Sequence, residues 1–140
     1  MARSDWDHIK RSKGFKSGLE VNIAEQLIIQ GIDPEYETVQ INYIVPEKKH
    51  IYTVDFKLPN GILIESKGWL KPDDRKKHIF IKKQHPEIDL RFVLQSPNGK
   101  IYKGSKTTYS QWCEKNGFKW AKKSIPQEWI DERPTETFFG

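Results

Sequence analysis

The sequence is short of cysteine: Cys113 stands alone among 140 residues. One thiol excludes an intramolecular disulfide framework and any zinc site built from several cysteines. Long hydrophobic runs are missing too. Mean hydropathy is −0.76, and no stretch approaches the ~20 apolar residues that a bilayer requires. The opening Met1-Ala-Arg-Ser-Asp-Trp-Asp-His8 has no apolar segment of the kind that directs secretion. These absences lead us to expect a soluble, cytoplasmic protein with no membrane partner. Apolar residues make up 36% of the chain, below the usual ~45–50%, a figure that counts glycine. So modest a core would gain from a second chain. Seven phenylalanines, five tyrosines and five tryptophans still argue against disorder.

Charge is plentiful and uneven. Lysine and arginine total 24 against 19 acids, a net +5. Lys100 to Lys123 holds seven lysines and one acid, Glu114. Arg75-Lys76-Lys77-His78 with Lys82-Lys83 forms a second basic group, and Arg3, Lys10, Arg11, Lys13 and Lys16 a third. From Ser124 onward the sign reverses, with Glu128, Asp131, Glu132 and Glu136 against Arg133. Clustered positive charge on a small chain points to a polyanion, most often nucleic acid.

Residues 1–16 read as a basic flexible arm, 17–130 as a single domain and 131–140 as an acidic tail. Ser17-Gly-Leu-Glu20 has the form of a capping box, and Leu19, Ile23, Ala24, Leu27 and Ile28 follow at helical spacing up to a stop at Gly31. Strands are expected over 36–45, 51–58 and 62–67, the first ending at Pro46. Pro72-Asp-Asp74 opens a helix that Pro86 closes. A strand over 90–95, a short one at Ile101-Tyr102, a helix capped by Thr108 and a helical turn over 125–130 complete the chain. The order α-β-β-β-α-β-β-α implies an α/β fold: a mixed central sheet flanked by helices.

The hairpin around Pro59-Asn60-Gly61 carries the chemistry. A three-residue loop with Gly61 in the left-handed position would place Val54, Phe56, Leu58, Ile62 and Ile64 on one apolar face. The other face would carry Thr53, Asp55, Lys57, Leu63, Glu65 and Lys67, and a one-residue slip would destroy both. In that register Asp55 lies opposite Glu65, with Cβ atoms about 4.5–5.5 Å apart. Two carboxylates so close repel, and a divalent cation with oxygen ligands relieves the repulsion. Lys67 points to the same side. Two acids, a cation and a lysine are the set that metal-assisted phosphodiester hydrolysis needs. The plain alternative is a solvent-facing strand pair in which Lys57 and Lys67 merely pair the acids.

Asp55 and Glu65-Ser-Lys67 resemble the active-site signature of the PD-(D/E)xK nuclease superfamily, with Val54 where proline is frequent. More narrowly, the chain resembles the phage endonuclease I family of Holliday-junction resolvases from about Gly14 to Trp129. The resemblance is carried by Phe15-Lys-Ser-Gly-Leu-Glu20, Tyr52-Thr-Val-Asp55-Phe, Leu58-Pro-Asn-Gly-Ile62, Glu65-Ser-Lys-Gly68, Asp74-Arg-Lys-Lys-His78, Gln84-His-Pro-Glu87, Tyr102-Lys-Gly-Ser105 and Ile125-Pro-Gln-Glu-Trp129. It implies a nuclease-like core and a Mg²⁺-dependent endonuclease for four-way junctions and other branched DNA, with Mn²⁺ as a substitute and one or two ions per site. Asp55 and Glu65 would be metal ligands, joined by the Ser66 backbone carbonyl and by Glu20, while Lys67 would position the attacking water. A domain-swapped homodimer is also implied, with strands near 36–50 crossing and Glu20 of one chain completing the site of the other. No small-molecule substrate is expected, and a phage-encoded enzyme would act in the host cytoplasm.

The remaining expectations are more local. Lys13, Lys16, Arg75, Lys76, Lys77, His78, Lys103 and Lys106 are the expected DNA contacts. His78 and His85 lack a third ligand for zinc. Glu35 and Glu37 are expected to face solvent, Trp69 to pack its loop or stack on an unpaired base, and Trp112, Cys113, Phe118 and Trp120 to lie in the core. The rivals are a general duplex DNA endonuclease and a non-catalytic basic DNA-binding module.

Overall fold

The structure, a computed structural model, describes residues 14–46 and 48–134. Most of the expected basic arm, including Lys13, and the tail from residue 135 lie outside the described residues. Among the described residues four helices and five strands follow in order: α1 (Gly18–Ile29), β1 (Glu35–Val45), β2 (Lys48–Lys57), β3 (Leu63–Lys67), α2 (Pro72–Gln84), β4 (Leu90–Leu94), α3 (Tyr109–Lys115), β5 (Trp120–Lys122) and α4 (Gln127–Asp131).

The strands form one mixed sheet in sequence order. The first two pairings are antiparallel, and β4 runs parallel to both β3 and β5. Parallel neighbours need a crossover, which α2 supplies between β3 and β4 and α3 supplies between β4 and β5. Every residue of β4, Leu90-Arg-Phe-Val-Leu94, is buried, as expected of a central strand covered on both faces.

Two cores result, one on each side of the sheet. Leu70, Ile81, Trp112 and Cys113 pack with Leu63, Phe92 and Leu94 on one side. Leu19, Ile23, Leu27, Ile125 and Trp129 pack with Phe56, Ile64 and Val93 on the other. Ser17 caps α1, its hydroxyl accepting from the Glu20 amide at 3.1 Å, and Gly31 turns the chain at φ +77°. Thr108 and Gln111 form the capping box of α3.

The expected short strand at Ile101-Tyr102 is a loop, and only an isolated bridge joins Lys100 to Thr108 nearby. The fifth strand is instead Trp120-Ala-Lys122, which the sequence reading placed only as core around Trp120. Three residues with a single buried side chain are too few for an alternating pattern to show. Trp112, Cys113 and Phe118 are buried as expected. Trp120 is half-buried, with its indole N–H on Glu114 at 3.0 Å.

Past α4 the chain is held by Arg91, whose side chain is 2% exposed. Its guanidinium donates to Asp89 at 2.8 and 2.9 Å and to both oxygens of Glu132 at 2.8 and 2.9 Å. It also lies over the Trp129 ring. Asn60 reinforces the join from the hairpin loop, donating to the carbonyls of Trp129 and Glu132. Residues 131–134, the start of the expected acidic tail, are thus partly anchored. Truncation to Ala would open a cavity and free Glu132, so Arg91→Ala should lose about 2–4 kcal/mol in denaturant unfolding. Arg91→Met, which keeps the volume, should lose less. An Ala variant within ~0.5 kcal/mol of wild type would remove Arg91 from the stability argument.

Candidate active site

The site is built where β2 parts from β3. Phe56 pairs with Ile64 and Lys57 with Leu63, Leu58 N–H reaches the Ile62 carbonyl at 2.8 Å, and Gly61 has φ +92°. This is the three-residue loop and the register expected from the apolar stripe. The ladder stops one pair short of Asp55 and Glu65, however, so the two acids are not a ladder pair. In place of a strand partner, the Ser66 amide and hydroxyl both donate to Asp55 Oδ2 at 2.9 Å.

A bulge on the other side of β2 explains the parting. Tyr36 pairs with Phe56 and Val39 with Val54, which leaves Glu37 and Thr38 together opposite Asp55. Glu37 takes φ +55°, in the left-handed region. The strand rolls over at this point: Phe56 lies in one core and Val54 in the other. The expected single stripe of Val54, Phe56, Leu58, Ile62 and Ile64 therefore loses Val54. Its supposed polar face is buried in part, since Leu63 is 7% and Glu65 is 4% exposed. The reason is that β3 is packed on both faces, by the Leu70 and Ile81 cluster on one and by α1 with the Ile125 and Trp129 segment on the other.

Lys16, Glu20, Glu37, Asp55, Glu65, Ser66 and Lys67 line one cavity of about 360 Å³. Glu20, in the first turn of α1, is buried, and its Oε1 accepts from the Lys16 amide at 2.7 Å and the Tyr36 hydroxyl at 2.8 Å. The capping box expected at Ser17 is thus half-formed: the Glu20 carboxylate turns toward the cavity. Glu37, expected in solvent, lines the cavity and pairs with Lys16 at 3.1 Å.

Glu65 Oε1 accepts from Tyr52 Oη at 2.5 Å, while Oε2 lies 3.5 Å from Lys67 Nζ. The Lys67 ammonium also sits 3.5 Å from Asp74 Oδ2, and Asp74 in turn pairs with Lys77 at 3.7 Å. Tyr52, Asp74 and Glu37 are absent from the sequence-based set. Tyr52 sits three residues before Asp55, within a strand whose alternation read as core, and Asp74 read as an ordinary first-turn acid.

Electrostatics follow from burial. Withdrawal from water raises Asp55 to about 6, with Glu20 adding to the rise and the Ser66 hydrogen bonds opposing it. Burial, then the Asp55 charge, raises Glu65 to about 8, against the pull of Lys67. Burial works to lower Lys67, but Glu65, Asp74 and Asp55 outweigh it and the net shift is upward. Lys67 is consequently an ammonium at neutral pH, a fixed positive charge rather than a base.

The expected DNA contacts separate into groups. Lys76, Lys103 and Lys106 are exposed, and Lys16 lies at the cavity. Lys77 is half-buried beside Asp74, with its ammonium 5.0 Å from the Tyr52 ring centroid. Arg75 is turned inward, donating from Nη1 to the Leu70 carbonyl at 2.8 Å and the Ile101 carbonyl at 3.0 Å. His78 is fully buried and cannot reach a phosphate. It stands among the rings of Tyr52, Phe92 and Phe118, and burial lowers its pKa well below the usual range. The basic run Arg75–His78 misled because its helical phase turns every third or fourth residue inward. His85 faces elsewhere, with Nε2 2.6 Å from the Asn42 carbonyl, so the two histidines share no site.

Among the described residues, no group of three or more His, Cys, Asp or Glu side chains stands arranged to hold a metal ion. No preformed cage of such side chains stands among these residues. That arrangement leaves room for Mg²⁺, which keeps several waters and takes only one or two carboxylates plus substrate oxygens. Asp55 and Glu65 fit that requirement: both are oxygen donors in a polar cavity, and both are raised by burial and by a neighbouring acid, which a cation would counter.

Fold and site together define an α/β protein with an acidic, lysine-bearing cavity where an antiparallel hairpin joins a parallel sheet. The sequence profile described as "Phage endonuclease I" matches residues 1–140. The chain is 50% identical over 131 residues to "Endonuclease I" of Escherichia phage T7, covering 94% of this chain and 88% of that protein. It is 49% identical over 129 residues to "Endodeoxyribonuclease 1" of Enterobacteria phage T3, covering 92% and 85%. The chain belongs to the phage endonuclease I family, and the recognition from its motifs holds. Among the described residues no helix is long and apolar enough to cross a membrane.

A stability prediction follows from the raised acids. Below an unfolded-state pKa near 4.5, Glu65 is protonated whether folded or not. As pH rises toward about 8, the unfolded state ionises first and the fold loses stability. Asp55 acts in the same direction between 3.8 and about 6. In metal-free protein Glu65→Gln should therefore raise Tm at pH 9, by a free energy on the order of a few kcal/mol, and change it little at pH 4. Equal Tm changes at both pH values would contradict the buried, proton-holding Glu65.

Proposed function

We propose that this protein is a divalent-cation-dependent endonuclease that cuts branched DNA, resolving four-way junctions by paired phosphodiester cleavage as a homodimer. The observation that carries this reading is the convergence of Glu20, Asp55, Glu65 and Lys67 on one cavity, in a chain half identical to two phage endonucleases. The core so formed is that of a PD-(D/E)xK nuclease.

Asp55 and Glu65, with the Ser66 carbonyl and Glu20, would hold the cation. When bound, Mg²⁺ supplies Lewis acidity toward water and toward a scissile-phosphate oxygen. The protein's residues do the rest. Ser66 fixes the Asp55 carboxylate through two hydrogen bonds. Tyr52 holds one Glu65 oxygen, which aims the other toward Lys67. Lys67, kept charged by Glu65 and Asp74, meets the negative charge that builds on the phosphate oxygens during attack. Because Glu65 alone ionises only near pH 8, ligand formation releases a proton and favours activity toward neutral and mildly alkaline pH.

The homodimer provides two such sites related by a two-fold axis, which suits paired nicks at a symmetric branch. Within the single chain Glu20 already lies beside Asp55 and Glu65. Exchange of the β1–β2 segment between two copies would build the same set from two chains. Exposed lysines supply phosphate contacts, and recognition rests on branch shape more than on base sequence.

The test uses an end-labelled four-way junction and a linear duplex of matched sequence, each in Mg²⁺ or EDTA. Wild type should give paired Mg²⁺-dependent nicks near the branch. Asp55→Asn and Glu65→Gln should bind the junction and leave it uncut, and Lys67→Ala should slow cleavage at least ~10²-fold. Equal cutting of both substrates would make the protein a general duplex endonuclease, and tight binding without cleavage in Mg²⁺ or Mn²⁺ a binding module. The cation also has a readout apart from activity. Added Mg²⁺ should raise the Tm of wild type at pH 8 and leave that of Asp55→Asn nearly unchanged.

A further inference from the structure

Two large aromatic side chains remain in water on loops joined to the start of α2. Trp69 is 64% and Tyr102 is 61% exposed, although the sequence would allow either to pack against its loop. Their inner neighbours take the core positions instead: Leu70 is fully buried and Ile101 packs partly against the same cluster. The loops that present them are distant in sequence but tied together. A single nitrogen, Arg75 Nη1, donates at once to the Leu70 and Ile101 carbonyls. Those two bonds tie the loops that carry residues 69 and 102 to the N-terminal turn of α2.

The chemistry of the surroundings selects an occupant. The Lys71 ammonium lies 4.8 Å from the Trp69 ring centroid, so one face of the indole carries a cation. Lys71, Lys100, Lys103 and Lys106 are all exposed on these two loops, with Asp73 the exposed acid on the adjoining helical turn. Flat aromatic faces set among lysines match a nucleobase attached to its phosphates. An apolar protein partner would leave the ammonium groups unpaired.

Position then says which nucleotide is meant. Gly68, the only residue between Trp69 and Lys67, lines the cavity itself. Two residues span at most about 7 Å, within reach of one nucleotide. We propose that Trp69 and Tyr102 form a stacking site for a base whose face is open at the branch next to the scissile phosphate, and that this site discriminates branched from linear DNA. It rests on the reading of the protein as an endonuclease for branched DNA, and it deepens that reading. In a continuous duplex both faces of each base are covered by neighbours, and exposing one costs unstacking energy. At a branch point the stack is interrupted, so a base face can be reached at lower cost.

The experiment measures binding in EDTA, where no cutting occurs, by full-length wild type, Trp69→Ala, Tyr102→Ala and Trp69→Phe. The probes are a four-way junction with 2-aminopurine at the branch and a linear duplex with the same label. Stacking predicts that either Ala variant weakens junction binding at least about fivefold and duplex binding less than twofold. It also predicts that 2-aminopurine quenching by wild type is lost in Trp69→Ala and kept in Trp69→Phe. Equal weakening on both DNAs, or a junction preference that survives both Ala variants, overturns the stacking site alone. A wild type that neither prefers nor cuts the junction overturns the branched-DNA reading and the stacking site with it. Unchanged Tm values across the variants separate these effects from misfolding.

Discussion

Glu65 is a carboxylate placed almost wholly out of water, and much of the neighbouring structure answers that constraint. Its strand is covered on both faces, so the charge cannot be met by solvent. Tyr52 supplies a hydrogen bond, Lys67 a cation, and the unusually high proton affinity of the acid does the remainder. A buried acid so provided for is costly for stability alone, since apolar residues of similar volume serve a core as well. Its persistence at the mouth of a polar cavity makes sense where a cation and a phosphate are to be bound.

The backbone solves the companion problem of bringing Asp55 to Glu65 without a strained pair. Two acids held opposite one another in a regular ladder would repel at close range. Here the ladder ends before they meet, and a bulge in β1 turns β2 aside. Asp55 takes the Ser66 amide that the missing ladder would have left without a partner. The same departure opens the cavity into which Glu20 turns from α1. Strand separation, acid placement and cavity are one structural event.

Lys67 shows how charge neutrality is shared across elements. It comes from β3, but its ammonium is held as much by Asp74 of α2 as by Glu65. Asp74 also accepts the Lys71 amide at the start of its own helix, so the crossover that makes the sheet parallel also orients the lysine. Arg75, one residue on, ties together the loops that carry Trp69 and Tyr102. The N-terminal turn of α2 organises much of the site although none of its residues lines the cavity.

Much of this was legible from the residues alone, and the reasons are local. Caps at Ser17 and Thr108, the turn at Gly61 and the register of Phe56 with Ile64 depend on neighbours in sequence, and those expectations hold. So does family membership, because the motifs run the length of the chain. Tertiary packing decided what no local pattern encodes. It turned His78 and Arg75 inward, brought Glu37 to the cavity and left Trp69 outside. It also made a strand of Trp120–Lys122 and anchored Glu132 on Arg91. A short-range pattern specifies which face of an element is apolar. Which polar groups must be buried with it depends on what the rest of the chain lays over that face, and here both faces of β3 and β4 are covered.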